Sequence, residues 1–529
     1  MKKNFMSAML AMLLLLSAAS FSSGEEPPAV PHFGINGFHV AGNTLLPPER
    51  VLELLHPFTG PERDFGTVQE ALEALQDEYR RLGYTTVHVL LPEQELERGE
   101  VKLQVVEGKL EAVRVEGNKY FDTENIRRSV PGLKEGAVPN IDAVSASMNV
   151  ANENPSKKMT LQLQSGAKED ELIAGVRVTD DRPWKVGLSF DNTGSPSTGD
   201  FRLGTLFQHG NLFNRDHILT LQYTVSTDKP SKVKIYSAGY RIPLYSLGDS
   251  IDVFGGYSDV DSGTIVSSEM DLKVAGKGII SGIRYNQNLR RMGSWKHRLI
   301  YGFDYRIYDN DVDISGIPRD TKIAVHPISI TYMGDSSTGE GFDWGGYITG
   351  IHNIPGHTES EDFQASRGSG APADYSILRY GFNIGALLPW DWQERLLFNG
   401  QYTDNPLVSA EQFGLGGAGS VRGFPEREIT SDWGHFASQE LYTPDLCRLA
   451  SVTSSQCRLV GFFDIGHVVR VRPGPGDPGD SLIAGGGFGL RLAIRKEFTL
   501  SVDYAFVALS AGSREQGDDR LHFRAALLF

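Results

Sequence analysis

Beyond its first two dozen residues the 529-residue chain has no run of 18 consecutive apolar residues. It therefore holds no convincing transmembrane helix, and a membrane crossing would have to be made by strands. Positive charge is in deficit: 51 Lys and Arg face 66 Asp and Glu, a net charge of -15. Such a balance speaks against nucleic-acid binding, and no nucleic-acid partner is expected. Cysteine is scarce, with only Cys447 and Cys457. Their spacing suits a disulfide across a small stapled turn in an exported protein, with two free thiols as the alternative. The chain also lacks a G-x-S-x-G elbow, an H-E-x-x-H helix and a phosphate loop, and its histidines show no metal-ligand spacing. Enzyme activity, a metal and a cofactor are accordingly not expected.

What is present begins with a leader. Residues 1–24 open with Lys2 and Lys3, continue through the apolar run 9–16 and finish in Ser17, Ala18, Ala19 and Ser20, the anatomy of a signal peptide cut between Ser20 and Gly24. Loss of two lysines and no acid takes the net charge from -15 to -17. An internal repeat follows, in which Val40, Gly42, Asn43, Glu49 and Val51 recur as Val115, Gly117, Asn118, Glu124 and Ile126. The repeat predicts two consecutive copies of one small α+β module, 33–109 and 110–183. In the first copy a strand at 34–40 leads through Gly42-Asn43 to a short helix at 48–55 and then a long one. Thr67 and Glu70 are expected to cap that long helix, Val68, Ala71, Leu72, Leu75, Tyr79 and Leu82 make its apolar stripe, and Gly83 ends it. Val87, Val89 and Leu91, with Val101, Leu103 and Val105, supply the sheet beneath. The second copy has a weaker helix at 141–151 and strands near 159–164 and 172–178.

From Trp184 to Phe529 the helical stripes stop, and segments of roughly 9 to 11 residues with period-two alternation recur between turns. Trp184, Val186, Leu188 and Phe190 alternate with polar or small residues, as do Leu299, Tyr301, Phe303, Tyr305 and Ile307. The last segment sets Leu521, Phe523, Ala525, Leu527 and Phe529 against Arg520, His522 and Arg524. A soluble β-sandwich would alternate too. In lipid, however, strands must close on themselves to pair every backbone group. The ~345 residues from Trp184 onward make room for an antiparallel transmembrane barrel of roughly 16 strands around a polar lumen.

The stretch 400–424, with Val421-Arg422-Gly423-Phe424 at its core, resembles the signature loop of two-partner secretion transporters of the hemolysin secretion/activation type. Phe462-Phe-Asp464-Ile-Gly466 resembles a second family element, and the segments 211–216 and 240–244 are further matches. The resemblance covers nearly the whole mature chain. It implies two polypeptide-transport-associated (POTRA) domains in the periplasm of a Gram-negative cell, followed by a sixteen-stranded outer-membrane barrel embedded in lipid. It further implies a lumenal loop around 413–430 and export of an unfolded exoprotein captured by the POTRA domains. The terminal Phe529 is read as a signal to the barrel-assembly machinery. Several family members begin with a helix that plugs the pore, for which the short stretch before residue 33 leaves little room here. The arginine loop is then the candidate closure.

In that loop Arg422 needs a partner if it is buried. Leu459, Gly461, Phe463 and Ile465 share one parity, which puts Phe462 and Asp464 on the lumenal side, where Asp464 can accept the arginine fork bidentately. The pair either fixes the loop for transport or only pins barrel register during assembly. Gly414 to Gly419 also match G-x-G-x-x-G, but without the strand and helix a dinucleotide site needs. An insertase for other barrels and a passive solute channel remain as alternatives to export.

Overall fold

The computed structural model describes residues 31–529 apart from 96–98, 169, 261–263, 268–271, 276, 315–316, 340, 357 and 369; the expected leader lies outside them. Two units divide the chain at Lys109 and Leu110.

In the first unit the helix Phe65–Arg81 buries Val68, Ala71, Leu75 and Tyr79. Against them lies a three-stranded sheet in the order Gly37–Ala41, Glu100–Glu107, Val87–Leu90. Val87, Val89, Val101, Leu103 and Val105 fill its buried face, as alternation requires. Three expectations need correction. The helix cap is Asp64, whose carboxylate accepts from the Thr67 amide at 2.8 Å, so the helix starts earlier than a Thr67 cap would place it. An ionised oxygen at the positive helix end does this work better than a hydroxyl. The strand at 34–40 is in fact two. Phe33–Ile35 pairs with Gly60–Arg63 and Gly37–Ala41 pairs with Glu100–Glu107, so the chain changes sheets at Asn36. Leu82 lies past the helix and is exposed, because the backbone already turns toward Gly83.

The second unit begins with the second module, whose sheet runs Lys109–Glu116, Glu171–Asp180, Lys157–Ser165 under the helices Thr123–Ser129 and Ile141–Asn152. The repeated Gly-Asn now has a cause. Gly42 (φ 81°) and Gly117 (φ 87°) are left-handed, and a Cβ on either would collide with the carbonyl of Val105 or Val178. Asn43 and Asn118 then donate to the carbonyls of Leu46 and Phe121, three residues on. A carboxylate closes each turn: Glu107 accepts from the amides of Thr44 and Leu45, and Asp180 from those of Lys119, Tyr120 and Phe121.

From Trp184 onward seventeen strand segments among the described residues close into one antiparallel ring. Ile317–Val325 and Pro327–Ser337 are a single crossing. Arg306 pairs with Val325 and Phe303 with Ile328, so the register runs through His326 without a shift. The barrel therefore has 16 crossings. Asp519–Leu528 pairs with Trp184–Asp191 to complete it, and the amide of Phe529 donates to the Val186 carbonyl at 2.8 Å. Trp184, Val186, Leu188 and Phe190 are exposed at 36–43%, an apolar outer face that only lipid suits. Among the described residues no helix is long and apolar enough to cross a membrane, and the crossing belongs to the strands.

Candidate functional site: the lumenal arginine loop

Residues 403–432 leave the strand Gln393–Tyr402 at the end of the barrel away from the second module and reach Trp433–Tyr442 by way of the lumen. Their middle is braced by a short pairing of Phe413–Leu415 with Ile429–Ser431. Leu415, Val421 and Phe424 are fully buried against Phe436, Val468, Ile483 and Val507 on the barrel wall. The wall is hollowed to receive them. A Cβ on Gly485 would collide with the Arg422 carbonyl oxygen, and one on Gly466 would meet Leu415 at 2.7 Å. Gly423 (φ 101°) permits the turn that lets its amide donate to His522 Nε2 at 3.1 Å.

Arg422 is 4% exposed and all its donor nitrogens are engaged. Nε and Nη2 donate to the two oxygens of Asp464 at 2.7 and 2.8 Å, and its amide adds a third bond at 3.1 Å. Nη1 reaches Glu440 at 2.7 Å and Nη2 reaches Ser438 at 3.2 Å, while Asp503 lies 3.5 Å from Nη1. The Phe462 ring lies 3.5 Å from the guanidinium carbon, a cation–π contact. The structure thus brings together Arg422, Phe462 and Asp464, and places Val421, Gly423, Phe424 and Gly466 in the packing around them. Sequence reasoning missed Ser438, Glu440, Asp503 and His522. Glu440 carried a usable signal, an acid inside a strand on the parity of buried Phe436.

The loop also holds the opposite wall. Glu411, 1% exposed, accepts from Arg306 at 2.8 Å and Tyr308 at 2.7 Å, with Arg379 at 3.4 Å. Asp432, fully buried, accepts from the amides of Leu407 and Val471 at 2.8 Å and from Arg367 at 2.7 Å. Arg367 ends the helix Ser360–Arg367, whose Phe363 packs with Tyr308, Ile351, Tyr375, Leu407 and Val408 in an apolar cap inside the outer mouth.

At the other end of the barrel the two remaining segments, 211–216 and 240–244, meet the second module. Lys157, with no exposed side-chain surface, donates to Asp216 at 2.5 Å, Ser129 at 2.8 Å and Asn125 at 3.2 Å. Burial pushes its ammonium pKa below the usual lysine range, and Asp216 opposes that shift. Arg241 pairs with Asp252 at 2.6 Å and with Glu153 of the module at 3.1 Å. At this same end a disulfide joins Cys447, in the turn after Trp433–Tyr442, to Cys457, near the start of the strand Ser455–Val469. Phe529 is 63% exposed.

The family profile described as haemolysin secretion/activation protein ShlB/FhaC/HecB matches residues 174–492, and that of the ShlB-type POTRA domain matches 33–108. The chain belongs to this haemolysin secretion/activation family. The outer membrane transporter CdiB of Escherichia coli is 24% identical over 450 residues, spanning 82% of this chain and 72% of that protein. The heme/hemopexin transporter protein HuxB of Haemophilus influenzae (strain 86-028NP) is 21% identical over 425 residues, spanning 79% and 72%. A solved structure of CdiB from Escherichia coli shares the fold with a TM-score of 0.73 at 21% identity, over 97% of this chain and 93% of that one. This family member is a two-partner secretion transporter of the outer membrane, with its POTRA region in the periplasm. The family is one of transporters, and its relatives favour export over the insertase and passive-channel alternatives.

Proposed function

We propose that residues 33–109 and 110–183 act as two periplasmic docking domains that capture the unfolded N-terminal region of an exoprotein, and that the barrel 184–529 passes it outward. Sheet edges support this reading, since an extended peptide can join an edge by backbone pairing. Lys157–Ser165 is such an edge, and its Lys157 end is fixed at the barrel rim by Asp216. A peptide added there would run toward the lumen. Phe529, paired beside the first strand, serves in this reading as the signal to the assembly machinery.

The observation that carries the transport role of the loop is the fully satisfied guanidinium of Arg422, held by two neighbouring strands at once. Anchored so, Val421 to Phe424 keep the loop in the one position from which the passage is controlled. Secretion assays on Arg422→Ala test this: normal surface levels of barrel with lost export support the transport role. Loss of the barrel itself supports the alternative, a pin for strand register during assembly. Binding of the exoprotein by residues 25–183 tests capture, and absence of binding with unaltered secretion on their deletion rejects it.

A further inference from the structure

The disulfide-bearing turn has an arrangement that export does not explain. Cys457 lies on the strand Ser455–Val469 with the parity of Leu459 and Phe463, which are exposed at 48% and 49%, whereas Val460 and Phe462 of the other parity are buried at 1% and 7%. The disulfide to Cys447 therefore draws the helical turn Leu446–Leu449 toward the lipid-facing side of the barrel rather than the lumen. On this turn Leu449 is 71% exposed, and Leu446 and Val452 follow at 38% and 43%.

The neighbouring turn joins the same patch. Asp391 accepts from the Asp445 amide at 3.1 Å and from Arg458 at 2.9 Å. These bonds hold Trp390 and Asp391 at φ 62° and 68°, a conformation unfavourable for non-glycine residues and most of all for a bulky one. What the strain maintains is a Trp side chain 87% exposed. An indole, three aliphatic side chains and the exposed Arg448 thus gather where the apolar belt of Leu441, Leu459 and Ile494 meets the periplasmic rim. Trp is favoured at such a boundary, where one end of the ring is apolar and the other is wet. The patch is continuous with the lipid face, and it lies on turns other than those that touch the second module, among them 213–216, 245–248 and the one bearing Arg290.

We propose that this stapled turn, with Trp390, is a phospholipid-contact patch that rests in the periplasmic leaflet of the outer membrane, taking acyl chains on Trp390, Leu449 and Val452 and a headgroup phosphate on Arg448. It extends the lipid-facing belt on one side of the rim, and the disulfide keeps it pressed to the barrel. The proposal rests on the outer-membrane placement of the barrel and goes beyond the export reading.

The test uses the full chain in liposomes of chain-brominated phosphatidylcholine and of its unbrominated counterpart. The Trp390 signal is taken as the difference in tryptophan fluorescence between wild type and Trp390→Phe. The proposal expects that signal to lose most of its intensity in brominated lipid and to resist aqueous acrylamide. A signal quenched by acrylamide and untouched by brominated lipid overturns it, and would point instead to a periplasmic occupant such as an apolar segment of cargo or a second copy of the chain. Leu449→Trp provides an added reporter should Trp390→Phe fail to assemble, with the same two outcomes.

Discussion

Arg422 and Asp464, 42 residues apart in the chain, meet through a bidentate pair at 2.7 and 2.8 Å beneath a loop that crosses the lumen. Lysine cannot reproduce the fork, because its ammonium is a point charge without the planar donor geometry. Arg422→Lys should therefore assemble to normal surface levels and still secrete poorly. Asp464→Ala should be worse, since removal of one partner from a buried pair costs about 3–5 kcal/mol. Retention of Glu440 puts the loss near the lower figure. Secretion of the exoprotein normalised to surface barrel is the measurement, and equal export by Arg422→Lys and wild type would remove the geometric argument.

Gly485 offers a steric test of the same loop. A Cβ there would collide with backbone, which cannot swing aside as a side chain can. Gly485→Ala should displace the loop and expose residues 413–430 to added protease while heat-modifiable migration of the barrel persists. Gly461→Ala, where no atom lies within 4 Å of the new Cβ, should behave as wild type.

Asp432 joins the start of the loop, the outer helix and the loop at 470–479 through five acceptor bonds, two of them from Arg367. Asp432→Ala leaves Arg367 without its carboxylate at a site 7% exposed. The outer cap and the loop should loosen together, and single-channel conductance in planar bilayers should rise above the wild-type level.

Lys157 and Asp216 fix the second module to the barrel rim. Asp216→Asn leaves a buried ammonium uncompensated and should make this junction sensitive to limited proteolysis. Lys157→Met, of similar volume and without charge, should be milder. The double variant should recover part of the loss, as replacement of a whole buried pair often does. Protection of the 182–184 junction reads all three.

Glu78 in the first module is 6% exposed, and Arg81 and Arg50 hold its carboxyl down at about 2. A depressed carboxylate stabilises the folded state fully above its unfolded value of 4.5, and loses that contribution as pH falls through about 2. Urea unfolding of residues 31–109 should show stability falling between pH 4.5 and 2, with a flatter acid limb in Glu78→Gln.

The sequence by itself determined the larger plan. Period-two alternation from Trp184 onward reflects strands with lipid on one face and water on the other, a constraint written locally in each segment. The repeated Gly-Asn likewise reports a local backbone need at Gly42 and Gly117. Asp464 was legible as the partner of Arg422 because one strand's parity was enough to place it on the lumenal side. Only the tertiary structure decided the rest. Glu440 faces Phe462 and Asp464 faces Gly485 through strand register, so the wall around Arg422 is assembled across strands rather than along any one of them. The partnership of Lys157 with Asp216 and the grip of Asp432 on Arg367 join segments 59 and 65 residues apart. Spacing in the chain carries no trace of them, because barrel closure and domain docking choose such neighbours by geometry alone.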